Sequence, residues 1–278
     1  MGFAPAPHHA YQHEITRELF VNTADENYVT ARFCFTEQLY TDFYWLAVHS
    51  MEKYLKAVLA INEHSTKGYG HDICRLYDDV HELASDLLPS KCSKPDIIDS
   101  INWIEETPRD FLGRIYSNGE ANNRYQIYGY VQQPNDIFKL DHMVFSVRRL
   151  SISPMDAYYY NDEETYRELL ARRQKTLLPV PKGSLENMIS GARGARLRDV
   201  ACNQNRFFAP EDYKHTNIAL KWSVRRPVLW YDVLEPAMNG TQSTKDIALL
   251  VLSWVLKCIY LPEDVRNELE KCRNNLRF

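Results

Sequence analysis

Residues 42–80 constrain the fold more than any other part of this chain. Apolar residues recur there at spacings of three and four, which places them on one face of a helix; they are Phe43, Leu46, Ala47, Met51, Tyr54, Leu55, Val58 and Leu59. The other face is charged and expected in solvent, and Glu52 stands four residues before Lys56, the favourable order for a helical ion pair. Residues 62–70 contain two glycines and reverse the chain. A second helix with the same period follows, with Asp72 near its N-terminus as a stabilising carboxylate.

Two further helices flank this segment. Thr23 and Glu26 have the spacing of a capping box, ahead of an apolar stripe formed by Tyr28, Ala31, Phe35 and Leu39. Residues 135–150 repeat the helical period with Ile137, Leu140, Val144 and Val147 on one face. Helices joined by short loops pack as antiparallel neighbours. The sequence therefore predicts a mainly α protein whose N-terminal part is an antiparallel helical bundle.

The motifs of this bundle resemble those of the HEPN domain, a helical module named for nucleotide binding in higher eukaryotes and prokaryotes. The resemblance lies in residues 47–57, with Glu52-Lys53 and Leu55-Lys56-Ala57, and in Gly70-His71-Asp72. Asn123-Arg124-Tyr125 is similar to the Arg-Tyr pair that this family tends to carry before its last helix. The similarity covers about residues 20–150. It implies an RNA-binding or nucleotide-binding bundle that forms a homodimer, and a place in a prokaryotic defence or toxin–antitoxin type of complex with a protein partner.

The ribonucleases of the HEPN group carry an Arg and, about four to six residues later, a His that assists proton transfer. No histidine follows Arg124 within that reach. Arg75 and His81 have a similar spacing, but they lie in one helix, where their side chains are about 120° apart and about 9 Å apart along the axis. We therefore expect a non-catalytic protein. One alternative is a metal-independent endoribonuclease that uses Arg75 and His81 or a site completed across a dimer. A second alternative is a helical module that binds only other proteins.

Several residues are candidates for binding nucleic acid or nucleotide. His71 either contacts a phosphate at a helix N-terminus beside Lys53 and Lys56, or it caps and packs the loop. Lys53 and Lys56 either bind phosphate or only keep an exposed helix soluble. Arg124 is a candidate phosphate ligand. Tyr125 either stacks on a base or, like the neighbouring tyrosines, fills a gap between helices.

The C-terminal half differs in charge from the rest. The first 150 residues carry a net charge of −7, whereas the remainder carries +3. Residues 151–157 interrupt the helical period with Pro154, so we predict a boundary there, and a helical or small α+β region over residues 157–278. Strand-like runs occupy residues 175–180, 218–224 and 228–233, and helices are expected over residues 161–178, over residues 244–260 with a cap at Ser243 or Thr244, and from Pro262 onward.

Within this half, residues 166–198 carry eight Lys and Arg against two Glu, a composition that attracts phosphates. Residues 189–197 contain Gly-Ala-Arg-Gly, which is similar to the Gly-x-x-Gly turn of KH domains that clamps a nucleic-acid backbone. Arg193 and Arg196 are the candidate phosphate ligands of this turn. The alternative is a helical extension that packs on the bundle.

Six cysteines are scattered without paired spacing, and no secretory leader precedes them. They predict reduced thiols in a cytoplasmic protein and indicate no zinc site. The longest apolar run, residues 247–256, is too short to cross a bilayer. The sequence thus predicts no metal, no cofactor and no membrane association.

Overall fold

The computed structural model describes residues 7–95, 103–153, 165–173, 180, 183–216, 223–226 and 234–276. These residues are mainly α-helical, as predicted. The elements are, in chain order, α1 (Pro7–Thr16), a π-helical turn (Arg17–Val21), α2 (Asn22–Thr36), α3 (Tyr40–Ile61), α4 (Ile73–Ala84), α5 (Pro108–Gly119), a 3-10 turn (Ala121–Tyr125), β1 (Tyr130–Gln132), α6 (Asp136–Arg148), α7 (Tyr166–Arg172), α8 (Ser184–Ile189), α9 (Ala195–Cys202), β2 (Val224–Arg226), α10 (Glu235–Met238), α11 (Gln242–Cys258) and α12 (Glu263–Asn275). The two strands form a two-stranded sheet. Among the described residues, none of the helices is both long and apolar enough for a membrane crossing.

The first helices form one continuous run rather than starting at a cap. Both Val21 and Asn22 have helical backbone angles. The hydroxyl of Thr23 donates to the carbonyl of Leu19 in the preceding turn at 2.8 Å, the bond that threonine makes inside a helix. The predicted capping box at Thr23 and Glu26 is therefore wrong, because the helix has already begun well before it.

The central helix α3 packs against α2, α4, α5 and α6, an arrangement that fits the predicted bundle. Its predicted apolar stripe is buried except for the half-buried Leu46, and the stripe of α6 is buried throughout. Helix α4 begins where expected, because the carboxylate of Asp72 accepts from the N–H groups of Cys74 at 3.1 Å and Arg75 at 3.0 Å. Helix periodicity therefore predicted these elements well.

A buried ion pair joins α2 to α6 and extends to α8. The guanidinium of Arg148, which is 1% exposed, donates from Nε to Asp25 Oδ1 at 2.7 Å and from Nη2 to Asp25 Oδ2 at 3.0 Å. The same guanidinium donates to both carboxylate oxygens of Glu186 at 2.9 and 2.8 Å. Asp25 also accepts from the hydroxyl of Tyr54 at 2.5 Å and from the N–H of Leu185 at 2.9 Å. Every charge in the group is therefore hydrogen-bonded.

A second buried pair mirrors the first. Here the arginine, Arg32, is on α2 and bonds to the carboxylate of Asp141 on α6. The Arg32 guanidinium also donates to the carbonyls of Val200 at 2.8 Å and Asn203 at 2.5 Å, at the end of α9. On each helix the two paired residues are seven positions apart. The order of the pairs along α2 is the reverse of their order along α6, so the two helices are antiparallel and meet over two turns. Both pairs hold the α8–α9 segment against the bundle.

The chain forms two compact units. The first comprises Met1–Glu120 and Gln132–Val224, and the second comprises Ala121–Val131 and Arg225–Phe278. This division differs from the boundary predicted at residues 151–157, because the ion pairs above attach α8 and α9 to the first unit. Residues 154–157 of that boundary lie outside the described part of the chain, as do residues 175–179, 218–222 and 228–233 of the predicted strands.

The second unit has a core of its own, made of Ile127, Leu234, Leu252, Leu256, Leu261, Val265 and Leu269. Helix α11 confirms the helix predicted at residues 244–260. Its cap is two or three residues earlier than expected, because Thr241 rather than Ser243 or Thr244 accepts the N–H bond of the first turn, at 3.4 Å from Thr244 N. Helix α12 starts directly after Pro262, as predicted.

Candidate functional site

Two histidines and a lysine converge on the buried carboxylate of Glu52. The imidazole Nδ1 of His71 lies 2.9 Å from Glu52 Oε2, and Nδ1 of His49 lies 3.4 Å from the same oxygen. The ammonium of Lys56 bonds to the other oxygen, Oε1, at 2.5 Å. Glu52 itself is 6% exposed. The expected ion pair between Glu52 and Lys56 is thus present, but the expectation that this carboxylate lies on a solvated face is wrong.

The electrostatics of this cluster keep Glu52 ionised. Burial alone raises the pKa of Glu52, but the hydrogen bonds from His49, Lys56 and His71 outweigh it and lower the pKa to about 2. A carboxylate with this pKa is charged at every physiological pH. It can therefore orient imidazoles or bind a cation, whereas it would repel a phosphate placed directly against it.

The loop that carries His71 is held in place from both sides. Gly68 and Gly70 adopt positive φ angles of 87° and 57°, which favour glycine. Lys56 donates to the carbonyl of Gly70 at 3.0 Å, and the ring of His71 stands edge-on to the ring of His49, with 5.4 Å between centroids. His71 projects outward with 65% of its side chain exposed.

One part of the phosphate hypothesis for His71 does not fit this geometry. The first N–H groups of α4 are those an anion would use at a helix N-terminus. The Asp72 carboxylate already occupies the N–H groups of Cys74 and Arg75. A phosphate near His71 must therefore be bound by side chains rather than by the helix terminus.

Glu26 connects this cluster to the arginines of the Gly-x-x-Gly segment. Arg193 donates to Glu26 at 2.9 Å. Burial lowers the pKa of Lys53, while Glu52 and Glu26 act on it in the opposite direction, so Lys53 stands within the field of both carboxylates. Two turns along α2 from Glu26, the guanidinium of Arg196 lies over the ring of Phe33, 5.1 Å from its centroid. We call the group of residues Arg196, Arg193, Lys53, Lys56 and His71 the basic ribbon.

The Gly-Ala-Arg-Gly turn lies between two short helices, α8 and α9. Both Gly191 and Gly194 have positive φ angles, of 83° and 105°, and no atom lies within 4 Å of the position of a Cβ on Gly194. Arg193 and Arg196 are exposed at this turn. Two short helices are therefore joined by a turn that contains the two glycines. Both helices pack against α2 of the bundle.

Arg75 and His81, the predicted catalytic pair, contact different residues. Arg75 lies over the ring of Tyr69, 4.8 Å from its centroid, and donates to the carbonyl of Gly68 at 3.4 Å. His81 is exposed and packs against the ring of Tyr77, with 5.9 Å between centroids. The contacts that the structure describes thus associate Arg75 with the loop of His71 rather than with His81.

Arg124 and Tyr125 belong to the second unit, whereas the other predicted binding residues belong to the first. They line an apolar cavity of about 830 Å³ together with Ala121, Asn122, Ile127, Leu234, Val251, Trp254, Val255, Ile259, Tyr260, Leu261 and Leu269. Tyr125 is 70% exposed, so it does not fill a gap in the core. Of its neighbours, Tyr130 is buried, and Tyr128 is half-buried with its hydroxyl 3.2 Å from Asp264 Oδ1.

Sequence reasoning missed the joint role of His49 and Glu52. They stand three residues apart on α3, so both point to the same side of the helix. That spacing, followed by a Gly-His dipeptide after a short reversing loop, is the signal that predicts convergence. No family model matches this chain, and no curated protein or solved structure similar to it was found.

Proposed function

We propose that this protein binds single-stranded RNA along the basic ribbon, as a HEPN-type bundle over about residues 20–150 without a catalytic Arg-His pair of its own. The observation that carries the proposal is the hydrogen bond from Arg193 to Glu26, together with the electrostatic effect of the same carboxylate on the pKa of Lys53. Glu26 thus relates two groups of basic residues that are more than a hundred positions apart in sequence.

The charge of the ribbon suits a polyanion. It contains four Lys and Arg side chains, and the contacts that the structure describes pair Arg193 with Glu26 and Lys56 with Glu52. Phosphates gain affinity from such a surface by releasing counterions. Arg193 and Arg196 contact residues of α2, whereas Lys53 and Lys56 lie on α3, and the axes of packed helices lie about 8–10 Å apart. Basic residues on two neighbouring helices can contact more than one phosphate of a strand.

The test is fluorescence anisotropy with a labelled single-stranded RNA of mixed sequence, measured in EDTA between about 50 and 200 mM salt. Each phosphate contact on a single strand contributes about −0.7 to the slope of log K against log salt. The double variant Arg193→Ala/Arg196→Ala is expected to weaken binding by at least about tenfold at low salt and to make the slope less steep by about 1.4.

A matched control removes the same charge elsewhere. Lys257 and Lys271 are exposed on helices of the second unit, so Lys257→Ala/Lys271→Ala should leave both affinity and slope unchanged. Equal losses in the two double variants would mean that only net charge matters, and the ribbon would be refuted. A mononucleotide that competes as well as RNA would instead identify the ligand as a nucleotide.

A second candidate function is metal-independent RNA cleavage, and the bond between Glu52 and His71 favours it. A carboxylate that accepts from one imidazole nitrogen leaves the other nitrogen for proton transfer. The same RNA samples are therefore run on a denaturing gel. Cleavage that is lost in His71→Ala but kept in Arg75→Ala and His81→Ala would assign catalysis to this pair. Loss in Arg75→Ala and His81→Ala would instead assign it to the displaced motif.

A further inference from the structure

We propose that His49, Glu52 and His71 form a site for a divalent transition metal ion, with Zn²⁺ as the best match. One ligand atom from each residue lies within 4.8 Å of the other two. Two imidazoles and one carboxylate are a ligand set that zinc takes in proteins, with a further position left to water or substrate. This inference does not depend on RNA binding.

The distances fit a metal with little movement. In a tetrahedral zinc site with bonds of about 2.0–2.1 Å, neighbouring ligand atoms are about 3.3 Å apart. Here Glu52 Oε2 lies 2.9 Å from Nδ1 of His71 and 3.4 Å from Nδ1 of His49. Both imidazoles thus turn the same nitrogen toward the same oxygen, and each neutral ring can carry its proton on Nε2 and leave Nδ1 as a ligand.

The surroundings hold the three ligands in position and leave one side open. Glu52 and His49 come from α3, and the edge of the His49 imidazole meets the Trp45 ring with 4.1 Å between centroids. Lys56 bonds to Glu52 Oε1 and leaves Oε2 for the metal, as partners of metal-bound carboxylates do. The exposure of His71 gives an ion an entry path and room for a water ligand.

The positive charge of Lys56 repels a cation bound at Glu52 and should lower the affinity of the site. Its ammonium competes for the charge of Glu52, so we expect weaker binding than in a closed structural zinc site with four protein ligands. A site that is open on one side and has only three protein ligands is of the kind that exchanges its ion or uses it in chemistry, rather than one required for folding.

The experiment is calorimetric titration of the full chain with ZnCl₂ in the absence of RNA, together with visible spectra after loading with Co²⁺. We expect one ion per chain and a Co²⁺ spectrum without thiolate charge transfer, since the ligands are nitrogen and oxygen. His49→Ala and His71→Ala should each weaken binding by at least about 100-fold, in line with loss of one of three ligands.

Two controls keep the result specific. His81→Ala removes an exposed histidine from α4 and should leave the titration unchanged. Cys258→Ser removes an exposed thiol, a kind of group that zinc accepts as a ligand in other proteins, and should also leave the titration unchanged. Far-UV circular dichroism verifies that each variant is folded. Glu52→Gln preserves the shape of the side chain while removing the charged ligand. The proposal is overturned if no saturable binding occurs, or if binding survives in both His49→Ala and His71→Ala.

Discussion

Replacing Arg148 by methionine should destabilise the first unit strongly. Among the described residues, Arg148 forms ion pairs with both Asp25 and Glu186, and it is 1% exposed. Methionine fills much of the same volume but leaves two carboxylates without their counterion. Asp25 would keep its bonds from Tyr54 and Leu185, whereas Glu186 would lose both bonds to the guanidinium.

Breaking a buried ion pair from one side typically costs about 3–5 kcal/mol, mostly because the remaining charge stays buried. For a unit of this size, each 1 kcal/mol lowers Tm by about 2–4 °C, so a decrease of roughly 10 °C or more is expected. The measurement is urea and thermal unfolding followed by circular dichroism. Adding Asp25→Asn and Glu186→Gln to Arg148→Met should recover part of the loss, because no uncompensated charge then remains.

The control is Arg167→Met, which breaks the ion pair with Asp86. Both partners there have 56% of their side chains exposed, and exposed pairs contribute about 0–1 kcal/mol. If Arg148→Met were no more destabilising than Arg167→Met, the argument that the buried pair holds α8 to the bundle would be refuted.

Two further predictions concern other parts of the first unit. Burial, with Arg206 nearby, lowers the pKa of His142 to about 4, and its Nδ1 accepts from Ser93 N at 3.2 Å. The unfolded chain therefore takes up a proton below about pH 6.5 that the folded protein excludes. The free energy of unfolding should consequently fall by about 2 kcal/mol from pH 7 to pH 5. Urea unfolding at both pH values checks this, and an equal decrease in His142→Gln would contradict it. In α5, a Cβ on Gly119 would lie 2.4 Å from the Tyr44 carbonyl oxygen, whereas on Gly113 its nearest neighbour would be 3.8 Å away. Thermal unfolding should show a loss of about 2 kcal/mol or more for Gly119→Ala and a slight gain for Gly113→Ala; similar changes in both would show that the close approach is unimportant.

The accuracy of sequence reasoning depended on how local each interaction is. The helices α3, α4 and α6 and the cap at Asp72 follow from spacings of three or four residues, and the structure contains them all. The capping box at Thr23 had the same local form, yet the helix continues through it. Whether a helix starts at such a pattern depends on what the preceding residues do, and here they were already helical.

The sequence by itself determined that this chain is mainly α-helical and which faces of its helices are apolar, because apolar residues at spacings of three and four reveal the helical period. Only the tertiary structure decided which charged residues meet. Asp25 and Arg148 are 123 positions apart, and Glu52 and His71 are 19 apart across a loop. Helix periodicity carries no information on such pairs, since a charged side chain on a helix is equally compatible with solvent, with a buried partner or with a ligand. The packing of α2 on α6, and of the His71 loop on α3, selected among these outcomes by removing water from some charges and leaving it on others.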